Sequence, residues 1–367
     1  MAIAAQTGVL VERLDVLAYE LPTDEPESDG TAEWDSTTMV VVEAHAGEAT
    51  GLGYTYAPAA AGTLVEEKLT SEVEGADALA PAAVWARLAR VLRNAGRPGI
   101  GFCALSAVDT ALWDLKARIL ELPLVDCLPR MHDAVPIYGS GGFCSYSLER
   151  LREQLAGWVA GGIPRVKMKI SREPARDPTR LDAARLAIGD WAELYVDSNG
   201  AFRAKEALGW AARLRADWGV SWFEEPVSSD DRDGLRLVRE QGPGGLEIAA
   251  GEYAYLPADF RNLVGCVDCL QADVTRCGGI TGLLQAAGLA GGHGLDVSAH
   301  CAPQLSAHAF CAVPTARHLE YFHDHVRLES LFFAGVLEPE DGCLRPDRSR
   351  PGHGLELKRS DVGRYAV

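Results

Sequence analysis

Short apolar runs ended by a polar side chain recur through the second half of the chain. RVKMK carries Lys167 and Lys169, ELYVDSN brings Asp197, VSWFEEP Glu224 and EIAAGEY Glu252; DCLQADVTRCGG brings Asp273, LDVSAHC His300 and HLEYF Glu320. Such runs suit strands buried on both faces, and the amphipathic segments between them suit helices. Val135–Tyr138, followed by Gly139, Gly141 and Gly142, reads as the first strand of the series and His318–Tyr321 as the last. Alternating strand and helix units predict an α/β fold, a parallel β/α barrel, whose chemistry sits at the C-terminal ends of its strands. One face of that barrel would then carry two lysines, three carboxylates, an Asp–His pair and a further Glu.

The first third of the chain has a different pattern. Val9–Leu21 alternates, Thr37–Ala44 (TTMVVVEA) is strongly strand-like, and Gly47 and Gly51 punctuate a return run to Tyr56, so an antiparallel meander is expected. The acidic stretch PTDEPESDGTAEWD, Pro22–Asp35, has two prolines and reads as a loop. It is either a solvated surface loop or a lid that closes over a pocket with Trp34 near its end. Between Gly62 and Leu122 the period becomes helical, most clearly where Leu105, Val108, Leu112, Leu115 and Ile119 share one face. These features predict an α+β domain over residues 1–130, the barrel over 131–335, and a Pro-, Gly-, Asp- and Arg-rich tail, 336–367, that folds back on the first domain.

Composition narrows the function. The net charge of −17 argues against a nucleic-acid surface and against attraction to anionic lipid. It leaves room for an anionic substrate, since a divalent cation and two lysines make a site locally positive. Nine cysteines, an odd number in no regular framework, suggest a reducing cytoplasm, and the single CxxC of Cys266 and Cys269 is expected to be buried packing. Neither a signal peptide nor an apolar run of membrane-spanning length is expected.

Asp197, Glu224 and Glu252 end successive strands, so their oxygens can converge. An all-oxygen set suits Mg²⁺ better than Zn²⁺, and no histidine-rich zinc pattern is present. Lys167 and Lys169, two apart on a strand, face the same way. Buried together they are expected to favour the neutral amine, which makes a general base. A carboxylate at Asp273 would orient His300 and raise its basicity. Two bases around a cation that holds a carboxylate suit removal of an α-proton and stabilisation of the enediolate that remains.

The order KxK, DxN, EEP, GE, D…GGIT, SAH and late Glu, together with SAVDTALWDLKARILELPL earlier, resembles the enolase superfamily, specifically its mandelate racemase-like group. A Lys or His base beside Mg²⁺ is the arrangement of such sites. The resemblance implies a modified (β/α)7β-type barrel with an N-terminal α+β capping domain completed by the tail. It implies one Mg²⁺ per subunit on Asp197, Glu224 and Glu252, with Asn199 and Glu225 supporting. Lys169 would be one acid/base and His300, paired with Asp273, the other on the opposite face. Lys167 would contact the substrate carboxylate and lower the pKa of Lys169, and Glu320 would hydrogen-bond the carboxylate or enediolate. The capping loops Pro22–Asp35 and Gly51–Ala57 would shape substrate choice, with Trp34, Tyr54, Arg276, His323 and His325 as candidate contacts. The resemblance also implies a homo-oligomer, from dimer to octamer.

The expected reaction is dehydration of an aldonate or aldarate to a 2-keto-3-deoxy acid. The alternatives are a racemase or epimerase of a 2-hydroxy acid and a cycloisomerase of a sugar lactone or anhydro sugar acid. Two readings outside that chemistry are a catalytically silent binding protein on the same fold and a Schiff-base aldolase using Lys167 or Lys169.

Overall fold

The computed structural model describes residues Gly8–Val367; the first seven positions of the expected N-terminal domain lie outside the described residues. Three antiparallel strands open the fold: β1 (Arg13–Ser28), β2 (Glu33–Ala46) and β3 (Ala49–Tyr56). Pro22–Asp35 is not a loop. After a bulge between Pro22 and Glu27 the two strands pair again, Glu27 with Trp34 and Ser28 with Glu33, so the stretch is the far end of a long hairpin. Backbone pairing with β2 overrides the poor strand propensity of its acidic residues. The turn is closed by Asp29, whose Oδ1 accepts from the backbone N–H groups of Thr31 and Ala32, both at 2.6 Å.

A 20-residue helix, Ile100–Ile119, lies across β3. Gly51 and Gly53 permit that approach, since a Cβ at either would run into the backbone of Ala111 or Ala107 on the helix. Apolar side chains of both layers form one buried core.

The barrel has eight parallel strands: β4 (Val135–Gly141), β5 (Arg165–Lys169), β6 (Glu193–Asp197), β7 (Trp222–Glu224), β8 (Glu247–Ala250), β9 (Cys269–Ala272), β10 (Asp296–Ala299) and β11 (Ala316–Phe322). They pair in chain order, and β11 closes on β4 through Leu319 to Phe322 against Ile137 to Ser140. A ten-residue helix, His323–Phe332, that the periodicity did not single out follows β11. The tail adds a short antiparallel strand, Cys343–Leu344, to β4. It then returns to the capping layer, where the ring of His353 (Nε2) meets the carbonyl of Leu52 at 2.8 Å and Arg359 pairs with Glu43. All nine cysteines are free, and Cys266 and Cys269 are fully buried. Among the described residues no helix is long and apolar enough to cross a membrane.

Strand alternation sets the barrel interior in layers. Tyr138, Tyr195, Trp222 and His318 fill a lower layer, with ring centroids 4.8 to 5.6 Å apart. Two residues further along the same strands stand Ser140, Asp197, Glu224 and Glu320. An aromatic floor therefore supports a charged layer and keeps water from reaching it from below.

Candidate active site

The charged layer gathers every residue of the expected acid/base and carboxylate set. Lys167 and Lys169 come from β5, Asp197 from β6, Glu224 from β7 and Glu320 from β11; Glu252, Asp273 and His300 lie just past β8, β9 and β10. None is more than 5% exposed. One carboxylate oxygen each from Asp197, Glu224 and Glu252 lies within 4.8 Å of the others.

The lysines differ from expectation. Lys167 Nζ lies 2.6 Å from Glu224 Oε1, 2.7 Å from Glu320 Oε1 and 3.7 Å from Asp197 Oδ2, and Lys169 Nζ lies 2.5 Å from Asp197 Oδ2. Burial disfavours both charges, but these carboxylates outweigh it and hold both pKa values above the usual lysine range. The expected neutral amine rested on burial and like charge alone; the contacts supply the opposite sign.

His300 is oriented from behind. Asp273 is held as a carboxylate: burial works against it, but hydrogen bonds from His300 and Thr275 and the nearby Arg276 keep its pKa low. A carboxylate only accepts, so His300 Nδ1–H donates to Asp273 Oδ2 at 2.8 Å, and Nε2 is the nitrogen left for chemistry. Asp273 Oδ1 is fixed by the backbone N–H and hydroxyl of Thr275, each at 2.7 Å. Burial lowers the imidazole pKa, but the surrounding groups, among them Glu252, Glu320 and Asp273, raise it well above the usual value.

The donor set fits a hard divalent cation. Asp197, Glu224, Glu225, Glu252, Asp273 and Glu320 are buried against only Lys167, Lys169, His300 and the half-buried Arg276. Even with His300 protonated, negative charge is in excess, at a cost that a bound cation would relieve. Buried Glu225 Oε1 and Asn199 Oδ1 lack hydrogen-bond partners, and Glu252 Oε2 meets only His300 Nε2, at 3.2 Å. Oxygen-only donors suit Mg²⁺.

Several functional neighbours gave no clear sequence signal. Ser140 Oγ donates to Glu320 Oε1 at 2.6 Å and the Cys301 N–H to Glu320 Oε2 at 3.1 Å, fixing that carboxylate from two sides. Ser140 was reachable by alternation from Tyr138; Cys301 was not, because its role is a backbone one. Ser171, Asn199, Glu225, Cys301 and Ala302 have φ of 80°, 46°, 39°, 51° and 43°, the left-handed region that side chains avoid. They lie in turns at the barrel mouth, where such strain marks functional backbone.

Above this layer a cavity of about 400 Å³ opens between barrel and hairpin. Trp34, Arg276 and His325 line it beside Lys169, Glu252 and His300. Tyr54 does not: it is fully buried, donates to Glu329 Oε1 and stacks on Phe333, one strand step too far from the mouth. Tyr56, on the same face of β3, lines the cavity instead and stacks on His325 at 3.4 Å. His323 is also outside it, its Nε2 2.9 Å from Asp24 on the hairpin. A larger depression of about 680 Å³ near Pro98, Asp230 and Tyr255 holds none of the buried bases.

Comparison with known proteins agrees with this geometry. A family profile described as mandelate racemase/muconate lactonizing enzyme, N-terminal domain, matches residues 19–128, and one described as enolase C-terminal domain-like matches 150–362. The chain is 35% identical over 364 residues to a 3,6-anhydro-alpha-L-galactonate cycloisomerase of Streptomyces coelicolor, covering 97% of this chain and 98% of that one. It is 28% identical to an L-talarate/galactarate dehydratase of Salmonella typhimurium, covering 98% of this chain and 92% of that one. Among solved structures, a mandelate racemase/muconate lactonizing enzyme-like protein from Rubrobacter xylanophilus superposes with a TM-score of 0.97 at 63% identity, covering 98% of this chain and all of that one. The chain belongs to the mandelate racemase/muconate lactonizing enzyme family of the enolase superfamily.

Proposed function

We propose that this chain removes the proton α to the carboxylate of a sugar acid and expels an oxygen leaving group from the β-carbon, most directly as a dehydratase yielding a 2-keto-3-deoxy acid. The observation that carries the reading is the gathering of Lys169, the Asp273–His300 pair and three converging carboxylates in one buried layer under a cavity. Asp197, Glu224 and Glu252 would hold one Mg²⁺, with Asn199 and Glu225 beside it. The bound cation supplies positive charge for the substrate carboxylate as it gains electron density. That structures of family members, such as a talarate/galactarate dehydratase variant, hold Mg together with a sugar acid supports this assignment.

Lys169 and His300 are the two proton carriers. Engagement of Asp197 and Glu252 with the cation would weaken their pull on Lys169 and His300, so that one of the two can be neutral and take the α-proton at its nitrogen; the other gives a proton to the β-hydroxyl, which leaves as water while the enol is left to tautomerise to the ketone. Lys167 and Glu320 would position the substrate carboxylate. Lys167 is itself anchored by Glu224, and Glu320 by Ser140 and the Cys301 N–H.

A second reading, ring opening of an anhydro sugar acid, is favoured by the 35% identity to a named cycloisomerase. It is the same elimination with a ring oxygen leaving. Assembly as a homo-oligomer belongs to this proposal through the family resemblance, and a cytoplasmic location through the nine free cysteines.

Proton NMR in D₂O with Mg²⁺ and a panel of sugar acids and anhydro acids tests the reading. Loss of the α-proton signal with new keto-deoxy resonances is the expected result. Silence across the panel with Mg²⁺ demonstrably bound contradicts it.

A further inference from the structure

The cavity wall discriminates by charge. On the floor stand Lys169, Arg276 and His300, and each already faces carboxylate. Lys169 Nζ is 2.5 Å from Asp197, Arg276 is 3.5 Å from Asp273 and 3.6 Å from Glu252, and His300 is 2.8 Å from Asp273. These groups surround the reacting end of a substrate. The outer wall is built by the hairpin and the start of the helix after β11. It offers the hydroxyls of Ser36, Thr37 and Thr38 and the carboxylates of Asp29 and Asp324.

No lysine or arginine of the described residues lines this outer wall. The nearby cations are already paired, Arg327 with the wall residue Asp324 itself. Arg327 donates to Asp324 Oδ1 and to the Pro22 carbonyl, each at 2.7 Å; Arg150 pairs with Asp24 and Glu25; Arg172 pairs with Glu33. His325 adds a neutral donor. Its Nδ1 accepts the Ala302 N–H at 3.2 Å, so the ring proton sits on Nε2. Burial, first among the causes, pushes its pKa down to about 3, so the ring is uncharged at neutral pH.

We infer that the substrate is a monocarboxylic polyol acid, an aldonate or its anhydro form, whose distal end is hydroxylated and uncharged, rather than a dicarboxylic aldarate. The inference rests on the reaction proposed above and adds its substrate class. A hydroxyl at the distal end can donate to Asp29 or Asp324 and accept from Ser36, Thr38 or His325. A second carboxylate there cannot donate, meets Asp29 and an Asp324 whose charge Arg327 already takes up, and has no free cation to replace its water.

The test is calorimetric binding of matched aldonate and aldarate pairs of the same stereochemistry to the Mg²⁺-loaded protein, with kcat/KM for the same pairs. The aldonates are expected to bind more tightly by on the order of tenfold to a hundredfold, the range of one charged hydrogen bond lost. Ser36→Lys, which adds a cation to the wall, is expected to narrow that ratio by strengthening aldarate binding. Aldarates bound as tightly as aldonates by a chain that exchanges α-protons overturn the substrate class and leave the reaction standing. Preferential aldonate binding without any α-proton exchange supports the substrate class and removes the reaction. Failure to bind any aldonate overturns the substrate class, and failure to bind either kind of acid overturns both.

Discussion

Asp273 presents its Oδ2 to His300 Nδ1 at 2.8 Å while its Oδ1 is held by Thr275, so the imidazole is fixed in ring orientation and tautomer by a carboxylate that cannot itself turn. Asp273→Asn keeps the shape and removes the charge. It is expected to lower kcat by about 10²- to 10⁴-fold, the usual weight of one positioned acid/base. Steady-state kinetics against pH check this, since the limb assigned to His300 should move to lower pH as the imidazolium loses its partner.

The carboxylate cluster gives a metal prediction that needs no substrate. With Asp197, Glu224 and Glu252 crowded within 4.8 Å, chelation should lower Tm and Mg²⁺ should restore it. A ligand at a hundred times its Kd adds about 2.7 kcal/mol to folding stability. Glu224→Gln is expected to melt no lower than the parent in chelator, because burial and the neighbouring carboxylates disfavour the charge it removes, and to gain little from Mg²⁺. Differential scanning calorimetry with and without the cation separates these cases.

Glu329 supplies a pH prediction away from the cluster. It is fully buried against Tyr54, and burial pushes its pKa up from 4.5 to about 8. Between those values the folded chain keeps a proton that the unfolded chain has released, so stability from this group falls as pH rises. Glu329→Gln does not titrate. Its Tm relative to the parent should therefore rise from near pH 4.5 and level off above about pH 8, as thermal melts across that range would record.

The hairpin tip tests the role of the cavity wall. A Cβ on Gly30 would run into Ser171 and the carbonyl of Ser198, which lie at the barrel mouth. Gly30→Ala should lift the tip, raise KM several-fold and leave Tm nearly unchanged, because few apolar contacts are lost there. A large fall in Tm with KM intact would instead make the tip a structural support.

How much of this was legible in the sequence depends on which physics decides each feature. The strand series from RVKMK to HLEYF was readable because a barrel interior enforces a period of two, and that period places Asp197 above Tyr195, Glu224 above Trp222 and Glu320 above His318. The hairpin was not readable. Pro22–Asp35 is acidic and punctuated, and only pairing with β2 makes it strand. The charge of Lys169 was not readable either, since it depends on Asp197 coming within 2.5 Å from the next strand. Tyr54 and Tyr56 share one face of β3, and only the docking of cap on barrel decides which reaches the cavity. Near-end-to-end family resemblance carried the roles of the site residues further than spacing alone.

The central claim is that Lys169 and His300 serve opposite faces of one bound carboxylate. Its most direct test is α-proton exchange in D₂O by the Mg²⁺-loaded Lys169→Ala and His300→Asn variants, followed by NMR on both α-epimers of a substrate. Each variant should lose exchange with one epimer and retain it with the other, in opposite senses. Loss of exchange with the same epimer in both, or retention of both epimers by either, would contradict the two-face arrangement.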